Sequence, residues 1–147
     1  MSGKWGPITW ILLHSLAERI VEDKYISNRE KIFSIVKGII ENLPCPECRY
    51  HATNYFKKIN IYNYNTKDEF KVMLYTFHNA VNVRLGKEIY DASSLEKYKL
   101  SKLLTIWKLF KLRYTQNNYS RLLSEQLTRR LIIERIQPII FEKTVFH

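Results

Sequence analysis

LPCPECRYH, residues 43–51, carries the chain's two cysteines, with a proline between them and a histidine three residues beyond the second. The pair can be read as buried small hydrophobes, as part of a metal site, or as a dithiol that cycles with its disulfide. Pro46 suits the first turn of a helix, where its missing N–H is not needed. A helix starting there puts Cys45 near the N-cap and Cys48 in the first turn. Both sulfurs then lie near unpaired backbone N–H groups at the positive end of the helix dipole, which lowers a thiol pKa. Arg49 adds positive potential beside them. No strand-like run precedes the pair, so the βαβ setting of a thioredoxin-like CxxC is missing and a redox reading needs a helical fold.

The sequence on either side supplies such helices. Upstream, Ile8, Leu12, Leu16 and Ile20 recur at helical spacing, which predicts a helix from Pro7 to about Val21. A second runs from after Ser27-Asn28 to about Asn42, and the third continues from the CxxC through ECRYHATNYFKK. Thr66 with Glu69 forms a capping box for a fourth, which carries Phe70, Met73, Leu74, Phe77 and Val81 and closes at Gly86. Ser93 with Glu96 reads as a second box, opening a fifth helix to roughly Tyr114. After a break at TQNNYS (115–120), a basic amphipathic helix extends to about Ile136, where Pro138 ends it; the tail IIFEKTVF is read as a short strand or a loop. The fold expected is all-α: a four-helix bundle over residues 5–90 with a helical C-terminal extension. The domain boundaries expected are 1–91 for the bundle and 92–147 for the extension packed on it.

Composition agrees. The 147 residues fit one domain, with 46% apolar and 26% charged residues and only four glycines and four prolines. No apolar run reaches the ~20 residues that cross a membrane. Ile8 to Leu13 is too short for a signal peptide's apolar region, so the chain reads as soluble and unexported. Net charge is +10 and uneven: residues 1–99 hold 15 basic and 11 acidic side chains, residues 100–147 hold 9 and 3. Such a basic segment attracts nucleic acid, anionic lipid or an acidic protein, and charge alone does not choose among them.

A zinc site would need Cys45, Cys48 and His51 plus His14 or His78, without a second CxxC or His pair at ligand spacing. Two flanking stretches hold a different inventory. In WGPITWILLH (5–14), Trp10 and His14 share a helix face; in HNAVNVRLGKEIYD (78–91), His78, Val81, Asn82 and Leu85 form another stripe. Asn79 and Asn82 among apolar neighbours need hydrogen-bond partners. Each His or Trp taken singly is an ordinary core side chain. Together, two imidazoles, an indole, two carboxamides and Lys87 suit a large aromatic, phosphate-bearing cofactor.

With WGxxxWxxLH, PCxxCxxH and HNxVNxxLxKxxYD in that order, the chain resembles the Erv/ALR family of FAD-linked sulfhydryl oxidases over residues 5 to about 91. The resemblance implies a helical bundle around FAD, as a homodimer. It implies that Cys45 and Cys48 are the catalytic pair, joined as a disulfide at rest. Cys48 would lie against the flavin as the charge-transfer thiolate and Cys45 would exchange with incoming thiols. Gly6, Trp10, His14, Cys48, His78, Asn79, Val81, Asn82, Leu85, Lys87 and Tyr90 would surround the FAD, Trp10 and His78 against the adenine and Lys87 near the phosphates. Electrons would pass from a client dithiol protein through the pair and FAD to molecular oxygen, giving hydrogen peroxide.

Two departures from the family stand out. Ala92 and Leu109 replace a structural disulfide of many relatives, and no second, shuttle cysteine pair exists, so client thiols must reach Cys45–Cys48 directly. Short members of this kind resemble the oxidases of large cytoplasmic DNA viruses, which act on a small relay protein; the expected setting is therefore the host cytoplasm or the virion. In the extension, Leu122, Leu123, Leu127 and Leu131 are expected on one helix face, opposite solvent-facing Arg121, Arg129, Arg130 and Arg135. The competing readings are a zinc-stapled binding module and a nucleic-acid-binding protein, the latter without any matching motif.

Overall fold

The computed structural model describes residues 5–116 and 123–147. Its α-helices are α1 Trp5–Glu18, α2 Tyr25–Ile40, α3 Pro46–Lys57, α4 Lys67–Arg84, α5 Leu103–Tyr114 and α6 Leu123–Ile140. Tighter 3-10 turns at Glu22–Lys24, Ile61–Asn63 and Ala92–Leu100 link them. Among the described residues the only extended pairing is one antiparallel bridge, Ile20 with Phe146. The fold is all-α, as expected. No helix among these residues is long and apolar enough to cross a membrane.

Short-range signals place the middle helices well. The Thr66 hydroxyl accepts from the Glu69 amide at 3.0 Å, and the Glu69 carboxylate accepts in return from the Asn65 amide at 2.6 Å. At the other end of α4, Gly86 takes φ +71°, the left-handed conformation that stops a helix.

Tertiary contacts move the other boundaries. α1 ends at Glu18 because residues 19–21 turn to pair with the chain's last residues: Val21 N–H donates to Val145 C=O at 2.9 Å, His147 N–H to Arg19 C=O at 2.8 Å. α2 starts at Tyr25, ahead of Ser27-Asn28, because the 22–24 turn runs straight into it. Asn28 is buried and donates to Thr144 C=O at 2.9 Å instead of capping. The Ser93 box does not form. Ser93 bonds Asp91, Glu96 pairs with Lys99, and α5 waits until Leu103. Pro138 does not end α6, which continues to Ile140: proline removes one donor only, and Ile136 and Ile140 on either side are both buried.

Packing makes one core. α1 is wrapped by α4, α5 and the 92–100 segment, and α2 lies on α3 and α6. Leu12, Phe33, Phe70 and Phe77 belong to the same cluster as Trp107 and Phe110 of α5 and Ile136 of α6. The hydroxyl of fully buried Tyr114 donates to Ile39 C=O at 2.8 Å, tying α5 to the end of α2; burial pushes its pKa up. Ala92 is exposed and Leu109 half-buried against the core.

The phase of α6 differs from the sequence reading. Its buried face is Gln126, Arg129, Ile133, Ile136 and Ile140, while Leu123, Leu127 and Leu131 point outward. Arg129, expected in solvent, is 1% exposed; Arg130 and Arg135 are exposed as expected. The isoleucines beyond Leu131, anchored against α2, set the rotation of the whole helix and carry Arg129 inward. Arg121 and Leu122 lie outside the described residues.

Candidate active site

Three helices enclose a cavity of about 520 Å³. α1 contributes Gly6, Thr9, Trp10 and Leu13; α3 contributes Cys48, His51, Ala52 and Tyr55; α4 contributes Phe77, His78, Val81 and Asn82, with Leu85 at its C-cap. Each set follows the three-or-four-residue spacing of one helix face. The 87–98 segment covers the cavity with Lys87, Tyr90, Lys97 and Tyr98.

Cys45 and Cys48 form a disulfide at the mouth of α3. Cys45 is the N-cap, in extended conformation, and its sulfur accepts from the Cys48 amide at 3.2 Å. Both cysteines are half-buried, but only Cys48 lines the cavity. One sulfur therefore faces inward and its partner stands on the outer side of the turn. Arg49 braces the turn from behind: its guanidinium donates to Leu43 C=O at 3.2 Å and pairs with Glu125 of α6 at 3.4 Å. With both sulfurs bonded, neither is a thiolate ligand, and among the described residues no three His, Cys, Asp or Glu side chains gather around a metal position.

On the opposite wall, His14 Nε2 and His78 Nδ1 are 2.9 Å apart, so one ring donates and the other accepts. Trp10 stacks on His78 with ring centroids 4.0 Å apart and planes 5° from parallel, and Tyr98 stacks on His14 at 4.9 Å. Burial, then His78 and Lys97, hold the His14 pKa down at about 3; burial, then Lys87 and Lys97, hold His78 down at about 4. Both imidazoles are neutral at pH 7.

The turn after α4 is built from its asparagines. Asn79 donates to Tyr90 C=O at 3.0 Å and accepts from Tyr90 N–H at 2.9 Å, a two-point clamp on the covering segment. The Asn82 side chain donates to that of Asn79 at 3.3 Å, and the Asn82 backbone carbonyl accepts from Lys87 N–H at 2.8 Å. These bonds aim Lys87 and Tyr90 over the cavity. Lys58, Arg84, Lys87 and Lys97 all line it, with no carboxylate among the lining residues.

Of the expected cofactor residues, Gly6, Trp10, Cys48, His78, Val81, Asn82, Leu85, Lys87 and Tyr90 line this cavity. His14 and Asn79 do not; they sit behind His78 and Tyr90 as supports. The sequence reading missed Trp5, Tyr55, Lys97 and Tyr98. Tyr55 had a signal, since it lies seven residues from Cys48 on the same face of α3. Trp5 stood unremarked beside Gly6; its indole Nε1–H is buried without a hydrogen-bond partner in a residue that lines the cavity. Lys97 and Tyr98 arrive through the fold of the 92–100 segment, which no local pattern announces.

The sequence profile of the Erv1/Alr family matches residues 7–101, nearly the span that builds this cavity. The chain is 35% identical over 103 residues, 69% of its length and 86% of the relative's, to the FAD-linked sulfhydryl oxidase of African swine fever virus. It is 33% identical over 96 residues to the Saccharomyces cerevisiae FAD-linked sulfhydryl oxidase ERV2, covering 63% of this chain and 47% of the yeast protein. A rice protein, FAD-linked sulfhydryl oxidase ERV1, is 32% identical over 85 residues, 58% of this chain and 43% of its own. No solved structure matches. The protein belongs to the Erv1/Alr family.

Proposed function

We propose that this protein is an FAD-dependent sulfhydryl oxidase that makes disulfides in client dithiols. The observation that carries the reading is the placement of Cys48: one sulfur of a helix-capping disulfide opens into a cavity walled by stacked aromatic rings and lined by four cations. The residues fit FAD. Trp5 Nε1–H is an orphaned buried donor, the Trp10–His78 stack offers a flat face to a ring system, and Lys58, Arg84, Lys87 and Lys97 suit a diphosphate. Bound FAD would supply a two-electron acceptor that hands its electrons and two protons to molecular oxygen, giving hydrogen peroxide.

The chain's own part is thiol exchange. A client thiolate attacks Cys45, the sulfur away from the cavity, forming a mixed disulfide and expelling Cys48 as a thiolate. Cys48 lies in the first turn of α3, where the positive end of the helix dipole favours that anion, while the Cys48 amide itself donates to Cys45 Sγ. A second client thiol displaces Cys45 and leaves as the client disulfide. The client thus loses two electrons and two protons, and the pair on Cys45 and Cys48 passes inward. His14 and His78, held neutral, keep positive charge off the aromatic wall.

The absence of another cysteine means that client thiols come straight to Cys45, and a small dithiol relay protein fits that requirement. The African swine fever virus relative supports placing the protein in the cytoplasm of an infected cell or in a virion, and we propose that it acts there as a homodimer. The test is direct. Purified protein should be yellow, hold about one FAD per chain and consume oxygen with dithiothreitol, while Cys45→Ala and Cys48→Ala should keep the flavin and lose turnover. Colourless protein, or turnover that survives both changes, would overturn the proposal.

A further inference from the structure

The outward leucines of α6 do not stand alone. Trp107 Nε1–H and Lys111 Nζ of α5 both donate to the Gln137 side chain of α6, at 2.9 and 3.1 Å. Further along, Arg129 of α6 acts electrostatically on Tyr114 of α5. Later α5 residues thus meet earlier α6 residues, and the two helices run antiparallel, linked through these long side chains while α5 packs on α1 and α6 on α2. On helical spacing, Leu104 and Leu112 of α5 then open to the same outer side as Leu123, Leu127 and Leu131 of α6. All five are more than half exposed, and Phe141 adds a ring just beyond the end of α6.

A patch of this make-up on one outer face marks a surface that meets something. Exposed cations lie on the same stretches, among them Lys102, Lys108 and Arg130, with Glu134 the exposed carboxylate of α6, while Arg135 reaches toward Ser34 C=O of α2. No residue of α5 or α6 lines the large cavity or the small one beside Phe146, so these leucines belong to neither. A helix face of exposed leucines with cations on the same helices matches an anionic lipid boundary. A second copy of this chain would bring the same positive charge, +6 over residues 100–147, against itself.

We propose that the outer face of the α5–α6 pair docks the protein peripherally on an anionic lipid bilayer, the leucines entering the headgroup boundary and the cations meeting lipid phosphates and carboxylates. Glu125, which holds Arg49, lies about half a turn of α6 away from Leu127. Docking by the leucines therefore leaves the CxxC turn uncovered.

The test is flotation of the full flavin-loaded chain with vesicles. It should float with vesicles of phosphatidylcholine and phosphatidylserine in equal parts, and float far less with phosphatidylcholine alone or in high salt. Leu127→Ser with Leu131→Ser should lower the bound fraction roughly tenfold, and Lys108→Glu with Arg130→Glu should do likewise. Oxidation of dithiothreitol should be unchanged in both variants, which reports that they fold. Absence of the parent from the floating fraction would overturn the proposal, as would flotation of the leucine variant equal to the parent's. A parent dimer that the leucine changes dissolve would assign the face to a second copy instead.

Discussion

Gly86 and the two histidines show what single residues contribute. At φ +71° a side chain crowds the following carbonyl, yet a methyl group here would meet no atom within 4 Å. Gly86→Ala should therefore cost about 1 kcal/mol through backbone conformation alone. It should also weaken flavin retention, because this turn aims Lys87; a variant matching the parent in thermal midpoint and flavin content would show that the turn relaxes freely. The histidines carry a pH dependence with a definite sign. Folded His14 and His78 titrate at about 3 and about 4, below the ordinary 6.5, so on acidification the unfolded chain takes up protons first. Their contribution to stability is complete above pH 6.5 and is lost as pH falls from there toward 4. Melting curves across that range should slope for the parent and flatten for His14→Gln/His78→Gln; equal slopes would move the effect elsewhere. Residues of this kind were legible because chemistry confined them to short motifs. Arg129 was not. An arginine between leucines reads as solvent-facing, and only the packing of Ile133 and Ile136 turns it inward.

Among the elements, α3 couples capping to chemistry. Cys45 supplies the N-cap acceptor to the Cys48 amide, so removing its sulfur removes a cap as well as a reactive group. Cys45→Ser retains an acceptor and Cys45→Ala does not; with the disulfide gone from both, the serine variant should be more stable by about 1 kcal/mol. Urea titration of the two variants measures the difference, and equality would mean that the cap contributes nothing. At the far side, Tyr114→Phe removes one donor to the Ile39 carbonyl, which keeps the Asn42 amide at 3.3 Å, and should cost about 1 kcal/mol with activity intact. Caps such as Thr66–Glu69 could be read in advance because they act over four residues. The start of α5 and the end of α6 could not. Ser93 finds a nearer partner in Asp91, and Pro138 is carried through by burial on both sides, so distant contacts decided what local rules left open.

For the whole molecule, the cavity is walled by α1, α3 and α4 while α5 and α6 shore up α1 and α2 from outside. A ligand in that cavity binds the folded chain only, so saturating FAD should raise stability by about 3 kcal/mol at a hundredfold excess over its dissociation constant. Calorimetry with and without added FAD reads this; an unchanged midpoint would separate the cavity from flavin binding. The bundle and its cavity were visible in the sequence because their helices carry the matching motifs. That the C-terminal extension packs on the bundle was expected, but which helix each part covers was not legible, since the partners lie far away along the chain. The clasp between the ends of the structure, Arg19 with His147 across 128 residues, has a consequence for how the protein is born. The ribosome delivers α1 before these closing partners. At ordinary synthesis rates roughly ten seconds separate the two. Throughout that interval the turn that ends α1 lacks its backbone bonds to Val145 and His147, and the nascent chain presents it to whatever chaperones attend the tunnel exit.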